Sequence, residues 1–325
     1  MLRNKKTIIV GHTGQDGSLL LDSLKKRGDS IIGISRSSFF LSEELSNLVI
    51  KNIADVKNIY EVLRLFKPDE IYYLPAYHNS SEDLKSKLSL HLQFENANYT
   101  HVIGAVNFLS AIKEVSPQTR FFYASSSMIY NGTLEDKQDE NARFDPKDIY
   151  GITKTQGMLI CRMFREKYKI FASTGILYNH ESHLRSQNFI STKIILAAIR
   201  ISKGSKERLE IGNLSSRVDF GYAKDFVEAF KEILSLDQPD DFIVATGESH
   251  TIEEFVDIVF DYFSLNAIFF VLENNKILQR HQPLRAGDPS KLKKISGWKP
   301  SYSFKNFVIQ LIKDHEEAIA SNKTD

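Results

Sequence analysis

The sequence is poor in three features, and each absence excludes a class of protein. Its one cysteine, Cys161, cannot form a disulfide within the chain, which argues against a disulfide-stabilised secreted domain. Eight prolines in 325 residues form no proline-rich linker. The longest apolar runs, such as AIFFVL, are far too short to span a bilayer. These absences favour a cytoplasmic protein without a membrane partner.

The sequence also lacks an excess of positive or negative charge. The 42 lysines and arginines nearly balance the 41 aspartates and glutamates, so the formal net charge is +1. A nucleic-acid-binding surface would need a local basic cluster, and the sequence has none. With 42% hydrophobic residues, the chain can form a large core, in which we expect Cys161 to be buried.

Between Thr7 and about Gly175, short β-branched or aromatic runs alternate with longer helical patterns. The expected strands are TIIVG, SIIGIS, EIYYLPA, RFFYASS and IFASTGILYN, and helical segments such as SLLLDSLKKRG and THVIGAVNFLSAIKEV separate them. This alternation is typical of consecutive βαβ units around a parallel sheet. It predicts an α/β fold with a Rossmann-type doubly wound parallel sheet.

The pattern is less regular after residue 180, which predicts a smaller, mixed α/β substrate domain. Residues 1–180, to which residues 215–247 return, contain the predicted parallel sheet and the glycine-rich stretch VGHTGQDGSLL after its first strand, so we assign them to a dinucleotide-binding domain. Residues 181–214 and 248–325 then form the substrate domain. The polar segment NGTLEDKQDENARFDPKD, residues 131–148, is expected to be a surface loop.

A glycine-rich stretch follows the first predicted strand. In VGHTGQDGSLL, Gly11, Gly14 and Gly17 stand at the opening of a helix. Glycines at these points let the backbone turn tightly and approach a pyrophosphate, whose charge the helix N-terminus attracts. The stretch predicts a dinucleotide site that includes Gln15 and Asp16. A glycine turn kept only for packing is the alternative.

The end of the second predicted strand bears on which dinucleotide is bound. An acidic residue about twenty positions after the glycines would bind the ribose hydroxyls of NAD. Here GISRSSFF offers Arg36 among serines and no acid, which suits the 2′-phosphate of NADP. We predict NADP(H) as the cofactor, with NAD(H) as the alternative. A solvated surface arginine is the other interpretation of Arg36.

Three further residues have the types that hydride transfer requires. Tyr150 and Lys154, in YGITK, are four residues apart and share a helix face, and Ser126 ends an upstream strand. A tyrosine acts as a general acid or base if its phenol pKa is lowered, and we expect the Lys154 ammonium to lower it. Ser126 can hydrogen bond to the same substrate oxygen.

These segments resemble those of a known family, and the likeness runs over nearly the whole chain. The extended short-chain dehydrogenase/reductases, and among them most closely the GDP-mannose 4,6-dehydratase group, have segments similar to GHTGQDGS, KPDEIYYL, ASSSMIY, YGITK, GILYNHES, GNLSSRVDFGYAKDFV, FIVATG and GDPSKLKKISGWKP, in this order. The resemblance implies a cleft between two domains. A nucleoside-diphosphate sugar would lie there against a nicotinamide.

The resemblance also implies roles for individual residues. Ser126, Tyr150 and Lys154 are the implied catalytic set, and Tyr150 and Lys154 would also contact the cofactor. Asn52 stands where the family usually has an adenine-contacting aspartate, and an asparagine can still hydrogen bond there. The implied contacts to the sugar nucleotide are Asn179, Lys193, Arg217 and, at the diphosphate, Arg280 or Arg285.

One position departs from the family in a way that affects the reaction. The family's dehydratases have a glutamate two residues after the catalytic serine or threonine, where this chain has Met128. That glutamate removes the C5 proton after C4 is oxidised, and water then leaves C6. A thioether has no proton to exchange near neutral pH, so Met128 cannot take this role. We therefore expect oxidoreductase activity at C4 alone.

The expected reaction is most simply the reduction of a 4-keto sugar carried on a nucleotide. The resemblance implies guanine as the base and the synthesis of surface-polysaccharide precursors as the pathway. Tyr73, Pro75 and Tyr77 replace smaller or amide residues beside the implied sugar site, which would reshape the pocket.

Three alternatives remain open. A 4,6-dehydratase could use a relocated base, for which His78, Glu95, His101 and Glu181 are candidates, although each taken singly is better explained by a structural contact or by exposure. A 4-dehydrogenase or an epimerase is a second alternative, and an epimerase would need a proton shuttle. A catalytically silent nucleotide-binding protein is the third, but the intact Ser/Tyr/Lys set argues against it.

Two further expectations concern partners. The resemblance implies a homodimer formed through the helices THVIGAVNFLSAIKEV and YGITKTQGMLICRMF, although their apolar residues could instead pack on the sheet. No histidines have a metal-ligand spacing such as HExxH, so no metal is expected.

Overall fold

The computed structural model describes residues 4–35, 39–40, 53–77, 88–130, 137–277 and 286–321. Up to residue 181, the elements in these ranges are β1 (Lys6–Val10), α1 (Gln15–Arg27), β2 (Ser30–Ile34), β3 (Phe39–Phe40), α2 (Val56–Phe66), β4 (Glu70–Tyr73), α3 (Leu90–Asn98), α4 (Gly104–Val115), β5 (Arg120–Ser126), β6 (Lys137–Gln138), α5 (Ile149–Tyr168), β7 (Ala172–Leu177) and β8 (Asn179–Glu181). The later elements are α6 (Ile190–Ser202), β9 (Leu209–Ile211), β10 (Arg217–Val218), β11 (Phe220–Tyr222), α7 (Ala223–Ser235), β12 (Asp241–Val244), β13 (His250–Thr251), α8 (Ile252–Tyr262), β14 (Val271–Glu273), β15 (Ala286–Gly287), α9 (Ser290–Ser296) and α10 (Phe304–Ser321).

The central sheet has the strand order β12-β7-β5-β4-β1-β2-β3. Six of its strands are parallel, and β3 pairs antiparallel with β2 at one edge. Every residue of β4 and of β7 is buried, because helices cover both faces of the sheet. The predicted Rossmann-type doubly wound sheet is confirmed.

Two apolar cores lie on the two faces of this sheet. On one face α2, α4 and α5 pack against the strands, and Cys161 is fully buried there, as predicted. On the other face α1, α7 and α9 pack against the strands. Because six strands of the sheet run parallel, the loops that follow them gather at its carboxyl edge, where ligands of such folds bind.

A third apolar core lies outside the sheet. It combines α6, α8 and α10 with β9 and β11. By contrast, α7 and β12, which fall within residues 215–247, belong to the second core and to the main sheet. The division of the chain into two domains at the predicted boundaries remains a prediction.

The helix expected in THVIGAVNFLSAIKEV is longer and less regular than predicted. A helical path begins at Leu90 with α3, passes through a π-helical turn at Tyr99–Ile103 and continues as α4. Two buried tyrosines from the sheet hydrogen bond to carbonyl oxygens of the π turn. Tyr73 donates to Thr100 at 2.6 Å and Tyr123 donates to His101 at 2.9 Å. These contacts satisfy carbonyls within the irregular turn.

The segment expected to be a surface loop is partly structured. Residues 131–136 lie outside the described ranges, but β6 pairs with β15 just after them. Gln138 of β6 is fully buried and accepts a hydrogen bond from the Tyr178 hydroxyl at 2.6 Å. The expectation of a solvated loop is therefore wrong for this part, because a polar side chain with a buried partner does not need solvent.

The surface of α5 carries an apolar stripe. Ile152, Leu159 and Met163 are 36%, 45% and 40% exposed, and their spacing of seven and four residues puts them on one helix face. A helix partner would cover such a stripe, but the homodimer itself stays a prediction. In the described ranges, no helix is both long and apolar enough to cross a membrane.

Candidate active site

Of the three predicted glycines, Gly11 and Gly14 lie in the turn between β1 and α1, and Gly17 lies in the first turn of α1. Gly11 has φ +88°, in the left-handed region that favours glycine. A Cβ on Gly17 would lie 2.1 Å from the Gly11 carbonyl oxygen, so no side chain fits there. Gly14 precedes α1 without a side-chain cap. The N-terminus of α1 therefore suits a pyrophosphate, and these residues fit a dinucleotide cofactor.

The glycine turn faces a cleft of about 940 Å³. Its size is at the upper end of the range for ligand pockets, about 300–1,000 Å³. The predicted site residues that line the cleft are Gly11, Gly14, Gln15, Asp16, Gly17, Ser126, Tyr150, Lys154 and Asn179.

The structure brings Ser126, Tyr150 and Lys154 together at the cleft floor. Ser126 ends β5, and the other two lie near the start of α5. The Ser126 and Tyr150 side chains are hydrogen bonded to each other. Lys154 is 1% exposed, and its ammonium donates to the carbonyl oxygens of Ala124 at 2.7 Å and Pro75 at 3.1 Å. These contacts hold the three groups within one small region.

Two local features fix the start of α5 against the end of β5. The Asp148 carboxylate caps the helix by accepting from the Gly151 N–H at 2.8 Å. A Cβ on Gly151 would lie 2.6 Å from the Met128 carbonyl oxygen. The glycine thus permits an approach that a larger residue would prevent.

The pKa values of this group correct one expectation. Burial raises the pKa of Tyr150 to about 12, although the Ser126 hydrogen bond and the Arg185 charge act in the opposite direction. Burial lowers the pKa of Lys154 to about 7, opposed by the Asp16 charge. The expected lowering of the phenol pKa is therefore wrong for the protein alone, because burial outweighs the other effects. At neutral pH Tyr150 is protonated and able to donate.

Met128 lies beside these residues. It belongs to a 3-10 turn, Ser127–Tyr130, that directly follows β5, and it lines the cleft with 8% exposure. Its N–H donates to the Ser126 hydroxyl oxygen at 3.2 Å. Among the described lining residues, Asp16 supplies the only carboxylate. The position two residues after Ser126 is thus occupied by a thioether.

The Asp16 carboxylate is itself engaged by His180. The His180 Nε2 lies 3.0 Å from both Asp16 oxygens, and its Nδ1 lies 2.7 Å from the Tyr178 carbonyl oxygen. Both ring nitrogens face acceptors, an arrangement that favours the doubly protonated imidazolium. Although burial opposes both shifts, the ion pair lowers the pKa of Asp16 and raises that of His180. Asp16 is therefore an ionised, paired carboxylate.

The residues considered as substitute bases do not reach the cleft where the structure describes them. Glu95 is exposed on α3, and Glu181 is 2% exposed and pairs with Arg185 at 3.0 Å. His101 is fully buried, with both ring nitrogens hydrogen bonded. His78 lies outside the described residues. Glu95 is thus exposed, and Glu181 and His101 have structural contacts, as we expected for each residue taken alone.

Two predicted substrate contacts are not among the residues that line the cleft. Lys193 is half-buried in α6. Arg217 is exposed, and its guanidinium donates to the Ser249 carbonyl oxygen at 2.5 Å. Its neighbours Ser216 and Val218 do line the cleft, so Arg217 lies beside it but is bonded elsewhere. The roles of Lys193 and Arg217 stay predictions.

Four predicted contacts lie outside the described residues. They are Arg36 at the 2′-phosphate, Asn52 at the adenine, and Arg280 or Arg285 at the substrate diphosphate. Their roles remain predictions, as does the preference for NADP.

Of the three residues expected to reshape the sugar pocket, one lies elsewhere. Tyr73 is fully buried in the core and hydrogen bonds to the π turn, so it does not reach the cleft. The expectation failed because β4 is covered on both faces. Pro75 and Tyr77, beyond the end of β4, do line the cleft.

Sequence reasoning missed Arg185. It lines the cleft, its guanidinium lies 3.9 Å from the centre of the Phe189 ring, and it pairs with Glu181. These two contacts hold a cation in the cleft wall. The only sequence signal was its place six residues after Asn179, and no spacing rule selects it. Asn96 and Tyr99 were also missed, because α3 was not predicted.

The described residues contain no group of three His, Cys, Asp or Glu side chains that could hold a metal ion. The chemistry of the cleft is instead that of hydroxyl, phenol and ammonium groups next to a dinucleotide site. This combination, on a doubly wound parallel sheet, defines an extended short-chain dehydrogenase/reductase of the epimerase/dehydratase type.

Comparisons with known proteins agree. The sequence model of the family described as GDP-mannose 4,6 dehydratase matches residues 8–311. GDP-mannose 4,6 dehydratase 2 of Arabidopsis thaliana is 33% identical, over 98% of this chain and 89% of that protein. The chain belongs to the GDP-mannose 4,6 dehydratase family.

Solved structures show the same fold. RMD from Pseudomonas aeruginosa, solved with NADPH, superposes with a TM-score of 0.80 at 18% identity, over 97% of this chain and 98% of that one. The dTDP-glucose 4,6-dehydratase of Bacillus anthracis, solved with NAD, gives a TM-score of 0.78 at 15% identity, over 96% of this chain and 97% of that one.

Proposed function

We propose that this protein is an NADP(H)-dependent reductase of the C4 carbonyl of a GDP-linked 4-keto sugar. The reaction would belong to the synthesis of surface-polysaccharide precursors. The observation that carries the proposal is the composition of the cleft. Ser126, Tyr150 and Lys154 are assembled there, but Met128 stands where the family's dehydratases have a glutamate.

The described side chains suit a reduction. A reduced nicotinamide, when bound, supplies the hydride to C4. Tyr150 donates its phenolic proton to the C4 oxygen, which its raised pKa of about 12 permits at neutral pH. The Ser126 hydroxyl, already bonded to Tyr150, orients that oxygen. Lys154, whose side-chain nitrogen lies 5.7 Å from the centre of the Tyr150 ring, holds the cofactor ribose and, in its protonated form, offsets the charge left on the phenol.

The choice between cofactors rests on Arg36 in the sequence. The neighbouring structures named above were solved with NADPH in one case and NAD in the other, so they do not separate the two. The glycine turn accommodates the diphosphate common to both. We favour NADP(H), because the sequence directly after the second strand, SRSS, contains an arginine and no acid.

A 4,6-dehydratase is the second candidate, since the Arabidopsis relative bears that name. Its reaction needs a base that removes the C5 proton, and an epimerase that inverts a carbon next to the keto group needs a comparable proton shuttle. Within the described lining of the cleft the only carboxylate, Asp16, is paired with His180. This pairing disfavours both activities relative to simple transfer at C4.

The proposal is tested by following NADPH oxidation with 4-keto-6-deoxy sugars linked to GDP, UDP and dTDP. We expect turnover with the GDP sugar and slower turnover with NADH. Dehydration of GDP-mannose would contradict the proposal. Tight cofactor binding without turnover on any sugar would instead indicate a catalytically silent binding protein.

We also propose a homodimer that covers the exposed stripe Ile152, Leu159 and Met163 on α5. Light scattering at micromolar concentration should give twice the chain mass of 37.2 kDa. The Leu159→Glu variant should give the mass of one chain, because a buried unpaired charge opposes association. A monomeric wild type would contradict the dimer.

A further inference from the structure

His101 is a buried polar residue that the proposed reaction does not use directly. It lies in the π turn between α3 and α4 and is fully buried. Its turn packs closely on α5 because Gly157 has no side chain. A Cβ there would lie 2.7 Å from the His101 carbonyl oxygen and 2.1 Å from the Tyr123 hydroxyl. The histidine is thereby set against the helix that carries Tyr150.

The hydrogen bonds of His101 define its tautomer. The Tyr77 N–H donates to Nε2 at 2.9 Å, so Nε2 carries no proton. Nδ1 lies 2.7 Å from the Thr153 hydroxyl oxygen, whose own proton goes to the Ile149 carbonyl at 2.8 Å. Nδ1–H is therefore the donor to Thr153. A proton taken up at Nε2 would break the Tyr77 bond, so this arrangement does not suit a base.

The same ring touches the catalytic tyrosine. The His101 and Tyr150 rings meet edge to face, with centroids 5.3 Å apart and planes at 87°. The Thr153 partner lies one turn after Ile149 at the start of α5. Tyr77 follows Pro75, whose carbonyl accepts from Lys154. His101 thus contacts Tyr150 directly and is linked to a carbonyl that holds Lys154.

We propose that His101 is a positioning residue that fixes the ring of Tyr150 and the Pro75–Tyr77 loop for proton transfer, a role that rests on the proposed function. The neutral His101 ring accepts a hydrogen bond from Tyr77 in the loop, donates one to Thr153 in α5 and packs against the ring of Tyr150. We call these three contacts the junction. Reaction rates depend steeply on placement, and a displacement of about 1 Å can cost about 100-fold. Loss of these contacts should therefore lower turnover more than it weakens ligand binding.

The test uses two variants that remove contacts of the junction, one by changing His101 and one by changing its partner Thr153. His101→Phe keeps a ring but loses both hydrogen bonds, and Thr153→Val removes the hydroxyl partner. For each we expect kcat to fall by about tenfold to a hundredfold, with KM within about threefold. The double variant should lose less than the product of the single losses, because both act on one junction. His101→Gln, whose amide offers an acceptor and a donor, should recover part of the loss.

Thr119→Val is the matched control for Thr153→Val. Thr119 is also fully buried and its hydroxyl donates to the Pro68 carbonyl at 2.6 Å, but it precedes β5, at the opposite edge of the sheet. We expect it to lower the melting temperature and leave kcat unchanged. If His101→Phe does not fold, Thr153→Val and His101→Gln still carry the test. Unchanged kcat in the folded variants would overturn the proposal.

A second readout separates this proposal from the proposed function. Carbon-13 at the ζ position of tyrosine reports the surroundings and ionisation of Tyr150, and the Tyr150→Phe spectrum assigns its resonance. We expect His101→Phe and Thr153→Val to shift this resonance, and Thr119→Val to leave it in place. If the wild type reduces no keto sugar, the spectrum still decides the positioning role. An unshifted Tyr150 resonance would then contradict it.

Discussion

The two walls of the cleft are built in different ways. On the side of the main sheet, α1 lies so close to the turn after β1, and α5 so close to the turn after β5, that no side chain fits at Gly17 or Gly151. On the other side, the segment before α6 and the strands β9 and β10 present side chains whose direction depends on individual pairs. Arg185 is held in the cleft by Glu181, whereas Arg217 is drawn to Ser249. Backbone packing fixes the first wall, and side-chain pairing fixes the second.

The largest effect should come from the first wall, with Tyr150→Phe. The variant keeps the ring and loses the proton donor, so kcat should fall by about 10²- to 10⁴-fold with little change in KM. Steady-state kinetics with the keto sugar measures this. Tyr178→Phe is the matched control, because Tyr178 also lines the cleft but its hydroxyl is bonded to Gln138. Equal losses in both variants would contradict the assigned role.

Gly17→Ala tests whether backbone packing sets the dinucleotide site. The added Cβ would meet the Gly11 carbonyl oxygen at 2.1 Å, so the turn must open. We expect NADPH affinity to fall by at least about tenfold, which is about 1.4 kcal/mol, in a fluorescence titration. Gly175→Ala is the control, since its Cβ would meet the Phe122 side chain at 2.7 Å within the main sheet, away from the glycine turn. Similar affinities for the two variants would show that packing is not the determinant.

A smaller effect is expected on the second wall, where the variants Arg185→Met and Arg217→Ala compare the contributions of two arginines to KM. Arg185 lines the cleft, so its loss should raise the KM of an anionic ligand by about tenfold, as expected for a charge-assisted contact. Arg217 is exposed and bonded to Ser249, so its loss should change KM by less than about twofold. The reverse order would mean that binding reorients this wall.

The smallest effect concerns the ion pair Asp16–His180, which joins the two walls. Because the pKa of Asp16 is lowered in the folded protein, its carboxylate stabilises the fold at pH values above the ordinary pKa of 3.8. This stabilisation is lost as the pH falls through the lowered pKa. Because the pKa of His180 is raised in the folded protein, its charged ring stabilises the fold at pH values below the ordinary pKa of 6.5. This stabilisation is lost as the pH rises through the raised pKa. The melting temperature should therefore drop most in Asp16→Asn between about pH 4 and 6.5.

Scanning calorimetry from pH 3.5 to 9 measures this difference. Glu254→Gln is the control, because its partner His250 lies in a more exposed pair. A deficit in Asp16→Asn that does not change with pH would show that the pair acts as a hydrogen bond without charge.

The first wall could be predicted from the sequence because each of its parts is local. The glycine turn, the Tyr/Lys pair in YGITK and the serine at a strand end are each recognised from the spacing of neighbouring residues. The alternation of strands and helices then places all three at the carboxyl edge of the sheet. The sequence did not predict the burial of Tyr73, because which strand is covered on both faces is a property of the whole sheet. The raised pKa of Tyr150 likewise follows from burial, which spacing does not reveal.

The second wall was predicted less well, since its contacts join distant segments. Arg185 pairs within its own segment, but its place in the cleft depends on where α6 begins relative to β5. The role of Arg217 at the substrate stays a prediction; in the structure its guanidinium is bonded to Ser249, 32 residues further along the chain. The π turn that carries His101 was also not predicted, because its carbonyls are satisfied by tyrosines from β4 and β5.

The central claim is that this protein transfers hydride at C4 without removing the C5 proton. NMR in D₂O, with GDP-mannose and NADP⁺ in one sample and a GDP-linked 4-keto-6-deoxy sugar with NADPH in another, tests it directly. We predict reduction of the keto sugar with no deuterium at C5. Loss of water from GDP-mannose with deuterium at C5 or C6 would show that a base acts in place of the missing glutamate, which would contradict the interpretation of Met128.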